Sequence, residues 1–198
     1  MSNKPWVEPI KLEGDHVRLE PISVSHASGL AEIADDGLFR FFAGLRPSGR
    51  DIHAGEQFIC SVLAQTSSVS YTVIDRSSGK VVGSTSYINI RDDSRGLEIG
   101  STRIAESYQG TVVNPEAKLL LLTHAFETLG AIRVQFRTDS RNLQSQRAIE
   151  KLGAIREGVF RHDTITPDGY LRDSVFYSIL SEEWPVIKAK LCTRLSLF

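Results

Sequence analysis

Polar and apolar residues alternate over His16-Val17-Arg18-Leu19-Glu20-Pro21-Ile22, the pattern of a half-buried strand. Pro21 puts that strand at an edge or marks its end. Residues 25–34 carry Leu30, Ile33 and Ala34 on one helical face, and 43–50 read as a loop. Asp51 is placed to cap a helix in which Ile52, Phe58, Ile59, Val62 and Leu63 follow helical spacing. Strand signals come next over 70–75, 81–90 and 96–104. The short turns Ser77-Ser78-Gly79-Lys80 and Asp92-Asp93-Ser94-Arg95-Gly96 make them antiparallel hairpins. A helix over 115–129, a strand over 132–138 and a helix over 143–152 follow. Gly153 ends the last of these, because a left-handed C′ residue is cheap only for glycine. Strands over 155–162 and 170–180 form a final hairpin around Pro167-Asp168-Gly169. The pattern predicts a mixed α/β (α+β type) domain with a mostly antiparallel sheet.

Composition narrows the class. The chain has 198 residues, 41% hydrophobic and 24% charged, with a formal net charge of −1. These values fit one globular domain over 1–198 and exclude a disordered or fibrous chain. They give no global sign of direct nucleic-acid binding. Cys60 and Cys192 form no CxxC pair, and the five histidines make no HxH or HExxH pattern, so neither a disulfide scaffold nor a metal site is expected. His124, set among Leu119–Leu122, Ala125 and Phe126, reads as a core histidine. The N-terminal segment has no apolar signal core, and no stretch approaches the roughly 18–20 apolar residues of a membrane helix. A cytoplasmic protein with no membrane partner is expected. Residues 131–161 hold seven basic against three acidic side chains. That is either a surface for an anionic partner or a solvated face.

Two segments offer chemistry. In Tyr108-Gln109-Gly110-Thr111-Val112-Val113-Asn114-Pro115-Glu116 a strand passes into an apolar helix, with Asn114 suited to the N-cap and Pro115 to N1. A rigidly held helix N-terminus offers free N–H groups and partial positive charge to a phosphate; the alternative is a plain capped helix. In Asn142-Leu143-Gln144-Ser145-Gln146-Arg147-Ala148-Ile149-Glu150-Lys151-Leu152-Gly153, helical spacing puts Asn142, Ser145, Ile149 and Leu152 on one stripe. Ser145 then points inward. The local alternative is an Asn142 N-cap with Ser145 at N3.

The second string resembles the Asn-x-x-Ser/Ala-x-x-x-x-Glu-Lys-Leu-Gly segment of the GNAT acetyltransferases, above all their ribosomal-protein N-acetyltransferase-like branch. Leu97-Glu98-Ile99-Gly100, Tyr108-Gln109-Gly110, the helix, the next strand, Asn142 and Gly153-Ala154 occur in that fold's order. Asp173-Ser174-Val175-Phe176-Tyr177-Ser178 resembles the branch's closing strand. The likeness runs over about 17–184 and implies a twisted, mostly antiparallel sheet of about seven strands flanked by about four helices. It implies acetyl transfer from acetyl-CoA to an amine, either a protein N-terminus or a small amine, with no metal. By position, backbone amides from Gln109, Gly110, Thr111, Val112, Val113 and Asn114 would cradle the pyrophosphate. The strands carrying Glu98 and Thr138 would splay around the pantetheine arm. Asn142 would contact that arm, and Ser145 would bond the sulfur and help protonate the departing thiolate. The chain departs from the family in two places, the loop and α-helical position 149. Val112 and Asn114 replace small loop residues, so the loop must suit a valine or bind CoA less well. Ile149 stands where many members carry a tyrosine acid.

Amine acetylation needs a neutral amine and so a base. Glu98 is the candidate, because glutamate is a poor strand residue without a reason. Alternation puts it with Gly100 and Thr102 on the face opposite Leu97 and Ile99. The alternative is a strand glutamate paired with Arg95, Arg103 or solvent. A strand amide after Glu98 would serve the developing oxyanion. The cysteines sit on no nucleophile motif, which favours direct transfer. Asp35, Asp36, Asp92 and Asp93 could attract a cationic amine or simply be solvated. Phe39, Phe41 and Phe42 could line an acceptor wall or belong to the core. Gly44 and Gly49 would let 44–50 move as a lid. The apolar final hairpin and tail suggest a homodimer. A non-catalytic CoA-binding or interaction protein with this fold is the rival reading.

Overall fold

A computed structural model describes residues 5–198, so residues 1–4 of the N-terminal segment considered above lie outside it. The strands are β1 (Leu12–Glu13), β2 (Val17–Pro21), β3 (Val69–Asp75), β4 (Val81–Arg91), β5 (Gly96–Ile104), β6 (Arg133–Asp139), β7 (Ile155–Ile165) and β8 (Leu171–Leu180). They form one sheet in the order β1-β2-β3-β4-β5-β6-β8-β7. Every neighbouring pair is antiparallel except β5 and β6, which run parallel. The helices are α1 (Ala27–Glu32), α2 (Asp36–Phe39), α3 (Ile52–Leu63), α4 (Val113–Thr123), α5 (Leu143–Leu152) and α6 (Trp184–Leu195). A π-helical turn, His124–Thr128, extends α4.

Three elements go beyond the expected count. β1 is a two-residue strand, and α2 is a single turn whose Asp35 cap accepts from the Leu38 N–H at 2.7 Å. The third is α6, in the tail read above as an apolar segment. Its Trp184, Ile187 and Leu191 are buried, and Trp184 stacks on Phe126 with ring centroids 5.5 Å apart. That part of the tail packs on its own domain, while Leu197 and Phe198 stay exposed. Pro21 is the last residue of β2.

The two faces of the sheet carry separate cores. Adjacent residues of a strand point to opposite faces, and Val81 joins the cluster of Ile22, Ala27, Leu30, Phe58 and Ile59 under α1 and α3, whereas Val82 joins the larger cluster under α4. His124 is buried in the larger core, 3.3 Å from the Tyr87 hydroxyl, which donates to the Leu121 carbonyl at 2.6 Å.

Helix α4 begins earlier than its local signals suggest. Val112 is the N-cap, so Asn114 is the second helical residue and Pro115 the third. Pro115 is still tolerated, because the first N–H groups of a helix have no internal partner. The start is fixed at long range. The Glu116 carboxylate is buried and accepts the N–H groups of Asp15, His16 and Val17 at 2.9, 2.8 and 2.6 Å. Gly14 lies so close that a Cβ there would meet the Glu116 carboxyl carbon at 2.7 Å.

Two bulges shape the β4–β5 pair. Register moves from Ser84↔Arg103 to Ser86↔Gly100, so β5 holds an extra residue, and Ser101 takes φ of +48°. Nearer the hairpin end, between Ile88↔Glu98 and Arg91↔Gly96, the extra residue is on β4, and Asn89 takes φ of +49°. The Ser101 bulge corrects strict alternation. Thr102 turns to the α4 face, where it bonds Lys118 and Thr85, and Arg103 turns to the face of Glu98.

Candidate functional site

β5 and β6 pair only from Gly96↔Arg133 to Glu98↔Gln135. Beyond that rung β5 stays paired with β4 and β6 with β8, so the two strands part in the middle of the sheet. Parallel strands that part leave main-chain donors and acceptors lining the opening. Glu98 stands on the last rung and is 2% exposed. Its Oε2 accepts from Asn89 Nδ2 at 2.9 Å and from Gln135 Nε2 at 3.1 Å. Its Oε1 lies 3.6 Å from Arg137 Nε, longer than a hydrogen bond. Arg137 in turn donates to Asp163 at 3.2 Å. The partners of Glu98 are thus Asn89, Gln135 and Arg137, not Arg95, Arg103 or solvent. Gly100 leaves room for the carboxylate, since a Cβ there would stand 3.3 Å from Oε1.

The loop before α4 takes the shape its residues suit. Gly110 alone needs the left-handed region, at φ of +76°, and nothing lies within 4 Å of where its Cβ would be. Val112 is helical at φ −62° and ψ −22°, so its side chain causes no backbone strain. A valine N-cap supplies no side-chain acceptor, which leaves the helix N-terminus to other acceptors. Thr111 accepts the Val113 N–H at 3.3 Å and donates to the Tyr108 carbonyl at 2.7 Å. Gln109 donates to the Ile104 carbonyl at 2.9 Å and accepts from Gln144 Nε2 at 2.9 Å. It thereby ties the end of β5, the loop and α5 together.

On α5 the local reading holds. Asn142 is the N-cap and accepts the Ser145 N–H at 3.0 Å. Ser145 is half-buried at N3, above the buried Ile149 and Leu152, and Gly153 ends the helix at φ +98°. Tyr177 anchors the helix to β8 by donating to Glu150 at 3.0 Å, and burial together with that carboxylate pushes its pKa up to about 12.

Other expected groups have different duties. Asp35 caps α2, and Asp93 accepts the Ser94 N–H within its own turn at 2.9 Å. The Asp36 side chain lies outside the described residues. Phe39 and Phe42 pack on the Arg103 guanidinium rather than forming a bare wall, while Phe41 lies beneath Arg141. Arg103 Nη2 donates to the Leu45 carbonyl at 2.8 Å, which pins the 44–50 loop to β5. In the basic 131–161 segment, Arg133, Arg137 and Arg141 are paired with Glu157, Asp163 and Asp139.

Sequence reasoning passed over Asn89, Gln135 and Arg137 around Glu98, because only the bulged register reveals them. It also passed over Lys118, although a lysine inside the run Ala117–Leu122 is a visible signal. Lys118 is buried with its Nζ on the Thr85 and Thr102 hydroxyls, and burial pulls its pKa down to about 7. Cys60 and Cys192 are free and exposed. Among the described residues no group of three or more His, Cys, Asp or Glu is placed to hold a metal ion, and no helix is long and apolar enough to cross a membrane.

Comparison with known proteins bears on this arrangement. Residues 16–155 match the acetyltransferase (GNAT) domain family. A Bacillus subtilis (strain 168) protein named "Putative ribosomal N-acetyltransferase YdaF" is 34% identical over 106 residues, covering 54% of this chain and 57% of that protein. The match therefore spans little more than half of that relative. The crystal structure of a "putative acetyltransferase" from T. thermophilus superposes with a TM-score of 0.89 at 41% identity, covering 96% of this chain and 100% of that one. A GCN5-related N-acetyltransferase from Brucella melitensis gives a TM-score of 0.89 at 28% identity, over 96% and 87% of the two chains. With a parted sheet beside Glu98, a glycine-led helix N-terminus next to it and a family match over most of its length, this chain belongs to the GNAT acetyltransferase family.

Proposed function

We propose that the chain acts as one domain that moves the acetyl group of acetyl-CoA directly to a primary amine, on a protein N-terminus or a small molecule. The observation that carries the reading is the end of β5–β6 pairing at Glu98, with the loop before α4 tied to the far end of β5, at Ile104, through Gln109. The residues present fit CoA. The open space over Gly110 admits a phosphate close to the backbone, and the amides of Gly110, Thr111, Val112 and Asn114 are its N–H donors, since Gln109 donates to the Glu106 carbonyl, Val113 to the Thr111 hydroxyl, and Pro115 has no N–H. Asn142 spends its side-chain oxygen on the helix, which leaves its NH₂ end for the pantetheine arm.

Acetyl-CoA, when bound, supplies an activated thioester. Glu98 Oε1 takes the proton of the incoming ammonium, while Asn89 and Gln135 hold the other oxygen and fix the carboxylate. The β5 edge beyond Glu98 has no β6 partner, and its amides are the donors for the carbonyl oxygen as charge develops there. Ser145 hydrogen-bonds the sulfur and relays to the departing thiolate the second proton that the amine nitrogen loses on acylation, so that its own hydroxyl is restored. Ile149 is buried and apolar and takes no part in proton transfer. Most of the acceleration comes from holding amine and thioester together.

Ile149 is also what favours the rival, a non-catalytic CoA-binding protein. Isothermal titration with acetyl-CoA followed by thiol detection across an amine and peptide panel separates the two. Binding with thiol release is expected. Absence of binding sinks the enzyme reading and leaves an interaction protein with this fold, and binding without release from any acceptor favours a non-catalytic CoA-binding protein. We place the protein in the cytoplasm as a homodimer. Exposed Ile155, Val159, Phe160 and Ile165 on the edge strand β7 support self-association, and a monomer mass by light scattering would refute it.

A further inference from the structure

Arg103 follows Glu98 on the same face of β5 and is 7% exposed. No carboxylate lies within ion-pairing distance of it among the described residues, and burial alone pulls its pKa down to about 10, so it remains a cation at neutral pH. The rings of Phe39, Phe42 and Phe58 surround it at 5.1, 4.4 and 5.5 Å. A guanidinium carries five N–H donors. Here Nη2 makes one good bond, to the Leu45 carbonyl at 2.8 Å; Nη1 reaches the Ser101 carbonyl only at 3.5 Å; and Nε is buried with no partner. Burying a charge without a counter-charge is costly, and aromatic faces offset only part of that cost.

The same guanidinium lines a cavity with Ser84, Ser86, Ser101 and Ile88. Ser84 stands opposite Arg103 in the ladder and Ser86 opposite Gly100, so both hydroxyls share its face. Ile88 stands opposite Glu98, and its Cδ1 lies 2.7 Å from where a Gly100 Cβ would be. The cavity is thus lined on β4 and β5 from Ile88, the ladder partner of Glu98, to Arg103, and across from them by Ser70, Phe58 and Val62. Its donors are one cation and several hydroxyls. That set suits a monoanion with a planar edge, because a guanidinium matches a carboxylate with two parallel bonds, whereas a phosphate dianion calls for more positive charge.

We propose that Arg103, with the Ser84 and Ser86 hydroxyls, binds a carboxylate carried by the acceptor, so that the substrate is an amine bearing an acidic group. This deepens the acetyltransferase reading and rests on it. With one bulged residue between them, Glu98 and Arg103 lie about four strand steps, or roughly 13 Å, apart at the backbone. The carboxylate is then several bonds from the amine. It belongs either to an acidic side chain near a peptide N-terminus or to a small ω-amino acid.

The test measures thiol release with matched acceptors: peptides with Glu or Gln at the second residue, and 4-aminobutyrate against its amide. The acidic member of the productive pair should show kcat/KM at least about tenfold higher. The ratio should fall to near one in Arg103→Met and partly in Arg103→Lys, with acetyl-CoA affinity by titration unchanged. Which pair discriminates tells a peptide from a small amine. Equal rates within both pairs, or a preference that survives Arg103→Met, overturns the proposal. Binding of butyrate, a monocarboxylate without the amine, read by calorimetry, needs no turnover. It should be seen in wild type and lost in Arg103→Met, and its absence in wild type also overturns the carboxylate site. Failure of acetyl-CoA titration alone speaks against the acetyltransferase reading instead. If Arg103→Met does not fold, Arg103→Lys and Ser84→Ala carry the same comparison.

Discussion

Lys118 and Arg103 stand on opposite faces of the β4–β5 pair, each buried and neither ion-paired with a carboxylate among the described residues. Lys118 has an ordinary way out. At a pKa of about 7 it sheds its proton readily, and as a neutral amine on two threonine hydroxyls it is a satisfied member of the core. Arg103 has no such exit, and it keeps its charge against three phenylalanines with one N–H buried and idle. A buried cation that can neutralise itself belongs to the fold. One that cannot is what the proposed carboxylate would answer, and it lines a cavity that reaches Ile88, the ladder partner of Glu98. The α4 face of these strands is packed core, and the other face carries Glu98, the base in the proposed reaction.

Four changes break or sharpen that contrast. Glu98→Gln should lower kcat by about 10²–10⁴-fold with little change in melting temperature, because Asn89 and Gln135 can still donate to the amide oxygen. Steady-state kinetics beside calorimetry check this, and full activity would move the reaction away from this face. Glu116→Ala, on the opposite face, should cost about 3 kcal/mol or more in urea unfolding by stranding three N–H groups, one of them buried. Lys118→Met acts in the other direction. The Lys118 pKa is about 7 folded, against an ordinary 10.5. Between those values the unfolded chain binds the extra proton. The lysine's contribution to stability therefore rises with pH across that window, by at most about 1.4 kcal/mol per unit, and below pH 7 its full cost is felt. The methionine variant should be more stable at pH 6–7, and its unfolding free energy should lack that rise. Phe42→Leu should cost about 1 kcal/mol by removing the closest ring from Arg103. It should weaken discrimination between acidic and neutral acceptors more than it slows turnover.

The pattern of the chain carried the sheet and the helices on either side because most elements obey a strict period. What it missed depends on distance or on broken period. β1 is too short for a pattern, and the start of α4 is set by amides about a hundred positions upstream of Glu116. The facing of Thr102 and Arg103 turns on Ser101, a bulge residue at positive φ that no glycine announces at that position. Glu98 and Gly110 were readable because each is costly where it stands: a charge inside a strand, and a glycine before an apolar helix. Asn142 and Ser145 were readable as a pair, and the structure assigns them a helix cap whatever else they contact.

The opening between β5 and β6 has a consequence for how sequences of this kind can drift. Along it, and along 109–114, the groups offered to a ligand are largely peptide N–H groups, which every residue but proline possesses. Substitution can hardly erase them. On the proposed reading, side chains facing the acceptor are free to vary while the donor half of the reaction stays fixed by the backbone, and a new amine can be accommodated without rebuilding the part that holds acetyl-CoA.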